Sequence, residues 1–342
     1  MACGSGKIRF GVVGTSPITD WFLRGALQDR RFELAAVCSR NIDRARAFGG
    51  KYGANLAFSS ITEMAASRSV DAVYIAVPNN LHAQYSIACM NMGKHVLCEK
   101  PAASNAAEFL SMVECAKKNK VALMEAMLPT VSENFRIIRN NLPRIGKIRR
   151  YFGAYCQYSS RYDKLRRGDV ANVFSAAMSG GATMDIGVYT IYPMVALFGM
   201  PQSVSAQGIL LSTGVDAQAA VNMKYPDMNA TVVYSKIADS YLPSEIEGEE
   251  GNLLMDGIHV IHSVTYIPHR APMSGQGPEE ERHAVGVLPG KSDYYYEVKE
   301  FIDLLENGKV ESEQNSLENS LNTLRVTDEI RRQLGVVFPA DS

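Results

Sequence analysis

The chain has 342 residues, of which 46% are hydrophobic and 21% charged, and its formal net charge is −1. A chain of this length can form two domains, each with its own core. The nearly balanced charge, with basic residues spread along the chain, argues against nucleic acid as a partner, because a phosphate backbone is bound by a concentrated basic surface.

Neither a secretory segment nor a membrane span is expected. The first residues, MACGSGKIRF, lack an apolar run, and the longest apolar candidate, residues 184–200, contains Asp185, Gly187 and Pro193. The cysteines are scattered without a CxxC pair, which is typical of buried free thiols in a reducing compartment. They are Cys3, Cys38, Cys89, Cys98, Cys115 and Cys156. We therefore expect a cytoplasmic protein with no metal site.

The first part of the chain alternates short β-branched runs with helical patterns. The runs that predict strands are 8–14, 32–39, 55–59, 71–78, 95–101 and 121–127. The segments with helical periodicity are 17–28, 41–52, 61–67, 81–92 and 104–118. Apolar strands that alternate with helices indicate a parallel sheet covered on both faces. Residues 1–127 are therefore predicted to form an α/β domain of the Rossmann type, with a doubly wound parallel sheet.

The pattern changes after residue 128. A long strand is predicted at 147–160, a helix at 181–198, and closing helices at 292–306 and 315–334. Further strands are predicted at 203–211, 217–224, 229–236, 244–248, 252–256 and 260–267, and a polar loop at 271–283. Residues 128–342 should thus form an α+β domain with an open, mostly antiparallel sheet. A second subunit on the free face of that sheet would make a homodimer or homotetramer.

The stretch FGVVGTSPITDWF, residues 10–22, joins the first strand to the first helix. Gly14 suits a tight turn and Pro17 suits the first helical position. Helix N-termini bind anions, so a pyrophosphate would lie against the turn formed by Gly14, Thr15, Ser16, Pro17 and Ile18. Ser16 and Thr19 replace the second and third glycines of a dinucleotide fingerprint. Ser16 would offer a hydroxyl to a phosphate, and a plain strand–turn–helix is the alternative.

The second predicted strand ends in AVCSRN, where a site specific for NAD usually has an acidic residue. Ser39 and Arg40 stand there instead. A hydroxyl and a guanidinium suit a 2′-phosphate, so the sequence favours NADP, with NAD still possible. Arg40 as a solvated residue at the start of a helix is the alternative.

Candidate chemical groups follow the fourth and fifth strands, at the edge of the sheet where such folds bind ligands. The fifth strand ends in CEKPAA, where Glu99 and Lys100 precede Pro101; an exposed ion-pair turn is the alternative. In SGGATMDIGVYTIYP, Asp185 and Tyr189 lie four residues apart, on one helix face. A tyrosine near a lysine ammonium would lose its proton more readily, although such a pair can also be purely structural.

These motifs together resemble one enzyme family. GTSPIT, AVPNNLHA, GKHVLCEKPAA and GGATMDIGVY occur in the order found in the glucose–fructose oxidoreductase/inositol dehydrogenase/MocA (Gfo/Idh/MocA) family, and the resemblance covers nearly the whole chain. GKHVLCEKP is its most specific part. Tyr189 stands where many members have histidine, as in the branch that holds dimeric dihydrodiol dehydrogenase and NADP-dependent xylose dehydrogenase.

The resemblance implies roles for individual residues. Lys100 would polarise the substrate oxygen, and Tyr189 would exchange the proton as hydride moves between a substrate carbon and the nicotinamide. Asp185 would bond a substrate hydroxyl or hold Lys100 and Tyr189 in place. The residues implied to line the cofactor are Pro78, Asn79, His82 and Glu99, together with Lys100. The Lys100–Pro101 bond is expected to be cis.

The substrate itself is not identified by these motifs. Leu128 and Pro129 depart from the family pattern in a segment expected to contact substrate. Tyr158, Arg161 and Tyr162 are candidate substrate groups, with surface roles equally open.

The predicted function is that of an NAD(P)-dependent oxidoreductase, with NADP preferred, that transfers hydride to or from a hydroxyl or carbonyl carbon. The expected substrate is a small molecule: a sugar, a polyol or a cyclic diol. Two alternatives remain at this point. One is a cofactor-sensing regulator without catalysis, although such proteins tend to lose the lysine or the proton donor, and both are present here. The other is a redox-assisted isomerase or glycosidase that retains its cofactor.

Overall fold

A computed structural model describes residues 6–269 and 281–342 of the chain. They divide into two compact units. The first comprises residues 6–128 and 291–324, and the second comprises residues 129–269, 281–290 and 325–342. Cys3 and residues 271–280 of the predicted polar loop lie outside the described residues.

The first unit contains a six-stranded sheet in the order β3-β2-β1-β4-β5-β6, in which every pairing is parallel. The strands are β1 (Ile8–Val13), β2 (Phe32–Cys38), β3 (Leu56–Phe58), β4 (Ala72–Ile75), β5 (His95–Glu99) and β6 (Leu123–Ala126). The helices between them are α1 (Pro17–Ala26), α2 (Ile42–Gly50), α3 (Ile61–Ala66), α4 (His82–Asn91) and α5 (Ala106–Asn119). The predicted doubly wound Rossmann sheet is confirmed.

The second unit contains an eight-stranded sheet in the order β14-β13-β12-β11-β7-β10-β9-β8. Its strands are β7 (Ile148–Cys156), β8 (Ser203–Leu210), β9 (Asp216–Lys224), β10 (Asn229–Ser235), β11 (Ser244–Gly248), β12 (Gly251–Met255), β13 (Val264–Pro268) and β14 (His283–Ala284). Only the pair of β7 and β10 is parallel, so the prediction of a mostly antiparallel sheet is confirmed.

The α-helices between β6 and β8 are α6 (Glu133–Asn141), α7 (Tyr162–Arg166) and α8 (Val188–Phe198), and a π-helical turn at Thr183–Gly187 leads into α8. The sequence patterns predicted α8 but did not reveal α6 or α7. α6 begins where the Ser132 side chain accepts a hydrogen bond from the N–H of Phe135, which is a regular N-cap. α6 and α7 are short, and each has few apolar positions from which a period can be recognised.

Alternation along the strands of the second sheet separates its two faces. Val221 and Val232 are paired across β9 and β10, and both are buried in the hydrophobic core of the unit. Ala220 and Val233 form the next pair and point to the opposite face, because successive side chains of a strand alternate.

One helix belongs to a different unit from the one the sequence suggested. α9 (Asp293–Glu306) was predicted to be part of the second domain, but it lies in the first unit. Its apolar side chains Val298, Phe301 and Ile302 are fully buried in the core of the first unit. Gly25 of α1 allows the close approach, because a Cβ there would lie 2.4 Å from the Cβ of Tyr294. The last helix is α10 (Leu317–Leu334).

Across residues 6–269 and 281–342, no helix is long and apolar enough to cross a membrane. In the same ranges Cys38, Cys89 and Cys98 are buried free thiols, as predicted, whereas Cys115 and Cys156 are half-buried. The described residues contain no group of three or more histidine, cysteine or acidic side chains that would hold a metal ion.

Candidate active site

The turn after β1 has a geometry that requires glycine at its first position. Gly14 has a φ of +104°, and a Cβ on it would lie 2.1 Å from the carbonyl oxygen of Ala76. Its N–H donates to the carbonyl oxygen of Cys38, so three strand ends meet at this residue. The close packing sets the N-terminus of α1 against the carboxyl edge of the sheet.

The two residues that replace fingerprint glycines have different surroundings. Thr19 is fully buried, and its hydroxyl has no hydrogen-bond partner among the described residues. Ser16 is the half-buried N-cap of α1, and its side chain makes no cap hydrogen bond. Thr15 and Ile18 are also half-buried, and Pro17 is exposed at the start of the helix. The first N–H groups of α1 and the Ser16 hydroxyl are thus placed to meet an anion.

The end of β2 adds a basic residue that the sequence interpretation missed. Ser39 is half-buried and Arg40 is exposed, and both immediately follow β2. Arg44, one helical turn further along in α2, donates from Nη2 to the carbonyl oxygen of Thr15 at 3.4 Å. Arg44 therefore reaches the turn of residues 14–18, which we call the phosphate turn because a pyrophosphate is predicted to lie against it. The available signal for Arg44 was its place in the first turn of the predicted helix 41–52, four residues after Arg40.

His82 is buried, and both of its ring nitrogens lie close to backbone carbonyl oxygens. Its Nδ1 lies 2.8 Å from the carbonyl oxygen of Pro101, and its Nε2 lies 2.8 Å from that of Val77. The ring is buried, which lowers the pKa of His82. His82 thus ties the segment after β4, which includes the half-buried Pro78 and Asn79, to the turn after β5. A direct contact of His82 with a cofactor stays a prediction.

The turn after β5 presents Lys100 above a buried carboxyl group. Glu99 accepts a hydrogen bond from the Tyr74 hydroxyl and another from the N–H of Lys100. Burial raises the pKa of Glu99. Lys100 is half-buried, and the Lys100–Pro101 peptide bond is cis, as the resemblance implies. Lys100 is therefore placed at the carboxyl edge of the sheet together with the phosphate turn.

In the second unit, Asp185 and Tyr189 have a distinctive exposure. From residue 181 to residue 195 they are the only two residues that are not buried. Asp185 lies in the π-helical turn, and Tyr189 lies in the first turn of α8. Gly187, between them, packs on the ring of Tyr234, where a Cβ would come within 2.9 Å. The segment 181–195 thus buries every residue except the two that the sequence identified as candidates.

Lys236 is a further charged residue of this site, and sequence reasoning did not select it. Its ammonium group forms an ion pair with the Asp185 carboxylate. Only 8% of Lys236 is exposed, whereas 31% of the Asp185 side chain is, so the buried ammonium group holds a carboxylate that still reaches the surface. Lys236 is the first residue after β10, and the segment around it offers no motif that would have marked it.

Two aromatic side chains surround the Tyr189 ring. Tyr155 of β7 stacks on His259 with ring centroids 4.2 Å apart, and Tyr189 meets both rings edge to face, at 5.9 and 6.3 Å. Such contacts hold the phenol in a fixed orientation. His259 was not among the predicted site residues, because it lies in an irregular segment between β12 and β13.

The three candidate substrate groups lie just beyond β7. The Tyr158 hydroxyl donates to Asp163 at 2.7 Å, and the rings of Tyr158 and Tyr162 meet edge to face at 5.8 Å. Arg161 is exposed at the start of α7. The geometry links Tyr158 and Tyr162 to one another, and a role of the three in substrate binding stays a prediction.

The first unit fits a dinucleotide. The glycine turn leaves no space for a side chain at Gly14, and the helix N-terminus behind it offers N–H donors. Arg44 supplies a guanidinium group at the same turn, and Ser39 and Arg40 supply a hydroxyl and a second guanidinium group directly after β2. This set of donors suits a pyrophosphate together with a 2′-phosphate.

Two family models match the chain in the order of its units. Residues 8–127 match a model described as an oxidoreductase family with an NAD-binding Rossmann fold. Residues 142–254 match a model described as the GFO/IDH/MocA C-terminal domain.

Curated relatives match over nearly their full lengths. The chain is 46% identical over 334 residues to the NADP(+)-dependent scyllo-inositol 2-dehydrogenase of Bacillus subtilis, covering 98% of this chain and 99% of that one. It is 29% identical over 350 residues to the trans-1,2-dihydrobenzene-1,2-diol dehydrogenase of Danio rerio, with the same coverage of 98% and 99%.

Solved structures show the same fold at lower identity. A 3-ketoreductase from Actinomadura kijaniata, crystallised with NADP and TDP-benzene, matches with a TM-score of 0.81 at 23% identity and covers 96% of this chain and 98% of that one. A levoglucosan dehydrogenase in complex with NADH and L-sorbose matches with a TM-score of 0.79 at 19% identity, covering 96% of this chain and 97% of that one.

Proposed function

This chain belongs to the GFO/IDH/MocA family of NAD(P)-dependent oxidoreductases, and from that premise we propose that it oxidises a hydroxyl group of a cyclic polyol or sugar, with NADP preferred over NAD. The observation that carries the proposal is that Asp185 and Tyr189 are the only two residues of the segment 181–195 that are not buried. The substrate class is supported by the relative that is 46% identical, which is named as a scyllo-inositol 2-dehydrogenase.

The preference for NADP is supported by the groups at the end of β2. Ser39 and Arg40 occupy the position where an acidic residue would select NAD, and Arg44 reaches the phosphate turn. Guanidinium groups bind phosphate with two parallel hydrogen bonds, which a ribose hydroxyl cannot match.

The proposed chemistry assigns one task to each side chain. NADP, when bound, supplies the hydride acceptor or donor. The Lys100 ammonium donates a hydrogen bond to the substrate oxygen and stabilises negative charge that develops there. The Tyr189 hydroxyl exchanges the proton of that oxygen as a general acid or base. Asp185, oriented by its ion pair with Lys236, accepts a hydrogen bond from a second substrate hydroxyl.

We also propose a homodimer or homotetramer in the cytoplasm. The free face of the second sheet carries a cavity of about 390 Å³ whose lining includes Ile209, Ala220 and Val233. Ile209 is 49% exposed, so apolar surface is available there for a second subunit. The free thiols Cys38, Cys89 and Cys98 support a reducing compartment.

The test is a screen of inositols, aldoses and cyclic diols, run with NAD and NADP in parallel. The reaction is monitored by the absorbance of the reduced cofactor. At least one cyclic polyol should be oxidised, with a higher kcat/KM for NADP. Lys100→Met should lower kcat by about a hundredfold to a thousandfold, since removing one positioned donor that stabilises developing negative charge costs about 10²–10³ in kcat. Its NADPH affinity, measured by fluorescence titration, should stay within about threefold of the wild-type value.

Lys118→Met, on the exposed face of α5, is the matched control and should leave kcat unchanged. Full turnover by Lys100→Met would refute the mechanism, and a higher kcat/KM with NAD would refute the role of Ser39, Arg40 and Arg44.

A further inference from the structure

Three buried carboxyl groups lie close to the turn after β5, residues 99–102, which we call the Lys100 turn. Glu99, Glu125 and Glu297 are 7%, 1% and 0% exposed. Both carboxyl oxygens of Glu297 lack a hydrogen-bond partner among the described residues. The charge of Glu99 adds to burial in raising the pKa of Glu297 well above its usual range. Burial and the neighbouring carboxyl group thus favour the neutral form of Glu297.

Glu125 is the member of the cluster that holds the far side of the turn. It lies in β6 beside the end of β5, where Cys98 pairs with Glu125. Its Oε1 accepts a hydrogen bond of 3.0 Å from the N–H of Ala102, two residues beyond Lys100. Glu99 accepts the N–H of Lys100 itself. The main chain around Lys100 is thus held at both ends by carboxyl groups.

The polar and charged groups around Glu125 belong to two structural elements. Glu99, Lys100 and the Cys98 thiol lie on β5 and its turn, and the Ser320 hydroxyl of α10 contributes a hydrogen bond. The pKa of Glu125 is raised to about 7, mainly by burial and to a smaller extent by the negative charge of Glu99, while the hydrogen bonds from Ser320 and Ala102 and the charge of Lys100 oppose the rise. Glu125 is therefore a buried carboxyl group with a pKa near neutral pH, and its charge and the charge of Lys100 interact.

We propose that Glu125 is a positioning residue for Lys100, which fixes the Lys100 turn through the N–H of Ala102 and which supports Lys100 fully only as a carboxylate. The proposal rests on the proposed function, in which Lys100 acts on the substrate oxygen. A carboxylate accepts the Ala102 N–H more strongly than a neutral acid, and it places a negative charge near the ammonium group. Protonation of Glu125 removes both effects while its shape is kept.

Glu125→Gln tests this, because the carboxamide has the shape and the acceptor oxygen of the neutral acid and does not ionise. Wild-type kcat/KM for the polyol identified in the screen should rise through a midpoint near pH 7. The variant should equal the wild type at pH 5.5–6 and fall about tenfold below it at pH 8, the size of one weakened charge-assisted hydrogen bond. Glu114→Gln, an exposed carboxyl on α5, should follow the wild-type profile.

A purely structural role would give a different result. It would lower the activity of Glu125→Gln by the same factor at every pH, and a ratio to the wild type that does not change between pH 5.5 and pH 8 would overturn the proposal. NADPH affinity and the thermal midpoint of the variant, measured at both pH values, separate this outcome from a loss of folding.

A second measurement does not depend on turnover. In protein labelled with ¹³C at the lysine ε carbon, the Lys100 signal is identified by its loss in Lys100→Met. That signal should move with a midpoint near pH 7 in the wild type and lose this step in Glu125→Gln. If no polyol is oxidised, the proposed function fails while this titration still decides whether Glu125 and Lys100 are coupled. A Lys100 signal without the step in the wild type would overturn the coupling.

Discussion

At the scale of single residues, the turn after β1 requires a glycine at its first position. This residue is Gly14: its φ is +104°, and the carbonyl oxygen of Ala76 occupies the place of a Cβ. The left-handed region costs other residues about 1–2 kcal/mol, and a contact of this kind adds to that cost. The phosphate turn therefore depends on the absence of one methyl group.

We predict that Gly14→Ala lowers NADPH affinity more than tenfold, because the turn must move away from Ala76 and take the N-terminus of α1 with it. Gly53→Ala is the matched control. Gly53 also has a positive φ, of +75°, but nothing lies within 4 Å of its Cβ position. Gly53→Ala should lower the free energy of unfolding by about 1–2 kcal/mol, because alanine disfavours a positive φ, and it should leave the NADPH affinity unchanged. Fluorescence titration and thermal unfolding of both variants check this, and equal NADPH affinities would contradict it.

Some residues of the candidate site could be predicted from the sequence, and others could not. Lys100 was identified because its motif is specific, and Asp185 and Tyr189 because their spacing places them on one helix face. Arg44, Lys236 and His259 were missed. Lys236 and Asp185 are 51 positions apart in the chain, and only folding makes them an ion pair.

At the scale of elements, the predicted strands and the longer helices agree with the structure to within a few residues at their ends. The short α6 and α7 were not predicted, and the π-helical turn at Thr183–Gly187 was included in a predicted helix. α9 was predicted as a helix, but its unit was assigned by its position in the chain. Its apolar side chains match the first core, and nothing in its own periodicity identifies the partner that buries them.

We predict that Phe301→Ala, in α9, destabilises the first unit by about 3–5 kcal/mol, the usual cost of removing a fully buried aromatic ring. The Phe301 ring lies 6.1 Å from that of Phe10 in β1, so the loss falls within the Rossmann core. Trp21, the single tryptophan, lies in α1 and reports this unit in urea unfolding followed by fluorescence. Leu110→Ala, at a 40% exposed position of α5, is the control. A loss of less than 1 kcal/mol in Phe301→Ala would argue against the assignment of α9 to the first unit.

At the scale of the whole molecule, the open sheet of the second unit is the feature with the largest consequence. One of its faces is buried under the core of the unit, and the pattern of alternation leaves Ala220 and Val233 on the other. A sheet face with apolar residues is commonly covered by another subunit. The proposed assembly therefore rests on the strand register rather than on any single motif.

We predict a particle of two or four times 37.5 kDa in sedimentation velocity at micromolar concentration. Val233→Glu should shift it to the monomer, because a carboxylate would have to be buried in the interface. Ser212→Glu, at an exposed position in the turn between β8 and β9, is a control that should keep the assembly. A wild-type protein that sediments as a monomer would refute the proposed oligomer.

The sequence by itself determined the two-part architecture, the glycine turn, the Lys100 motif and the Asp185–Tyr189 pair, because these depend on local periodicity and on short motifs. The tertiary structure decided what lies beside each of them: Arg44 at the phosphate turn, Lys236 on Asp185, His259 on Tyr155, and the buried carboxyl groups around Lys100. It also decided that α9 completes the first core. The reason is physical, since burial and the charges of neighbours arise from residues far apart in the chain, and a linear pattern does not contain them.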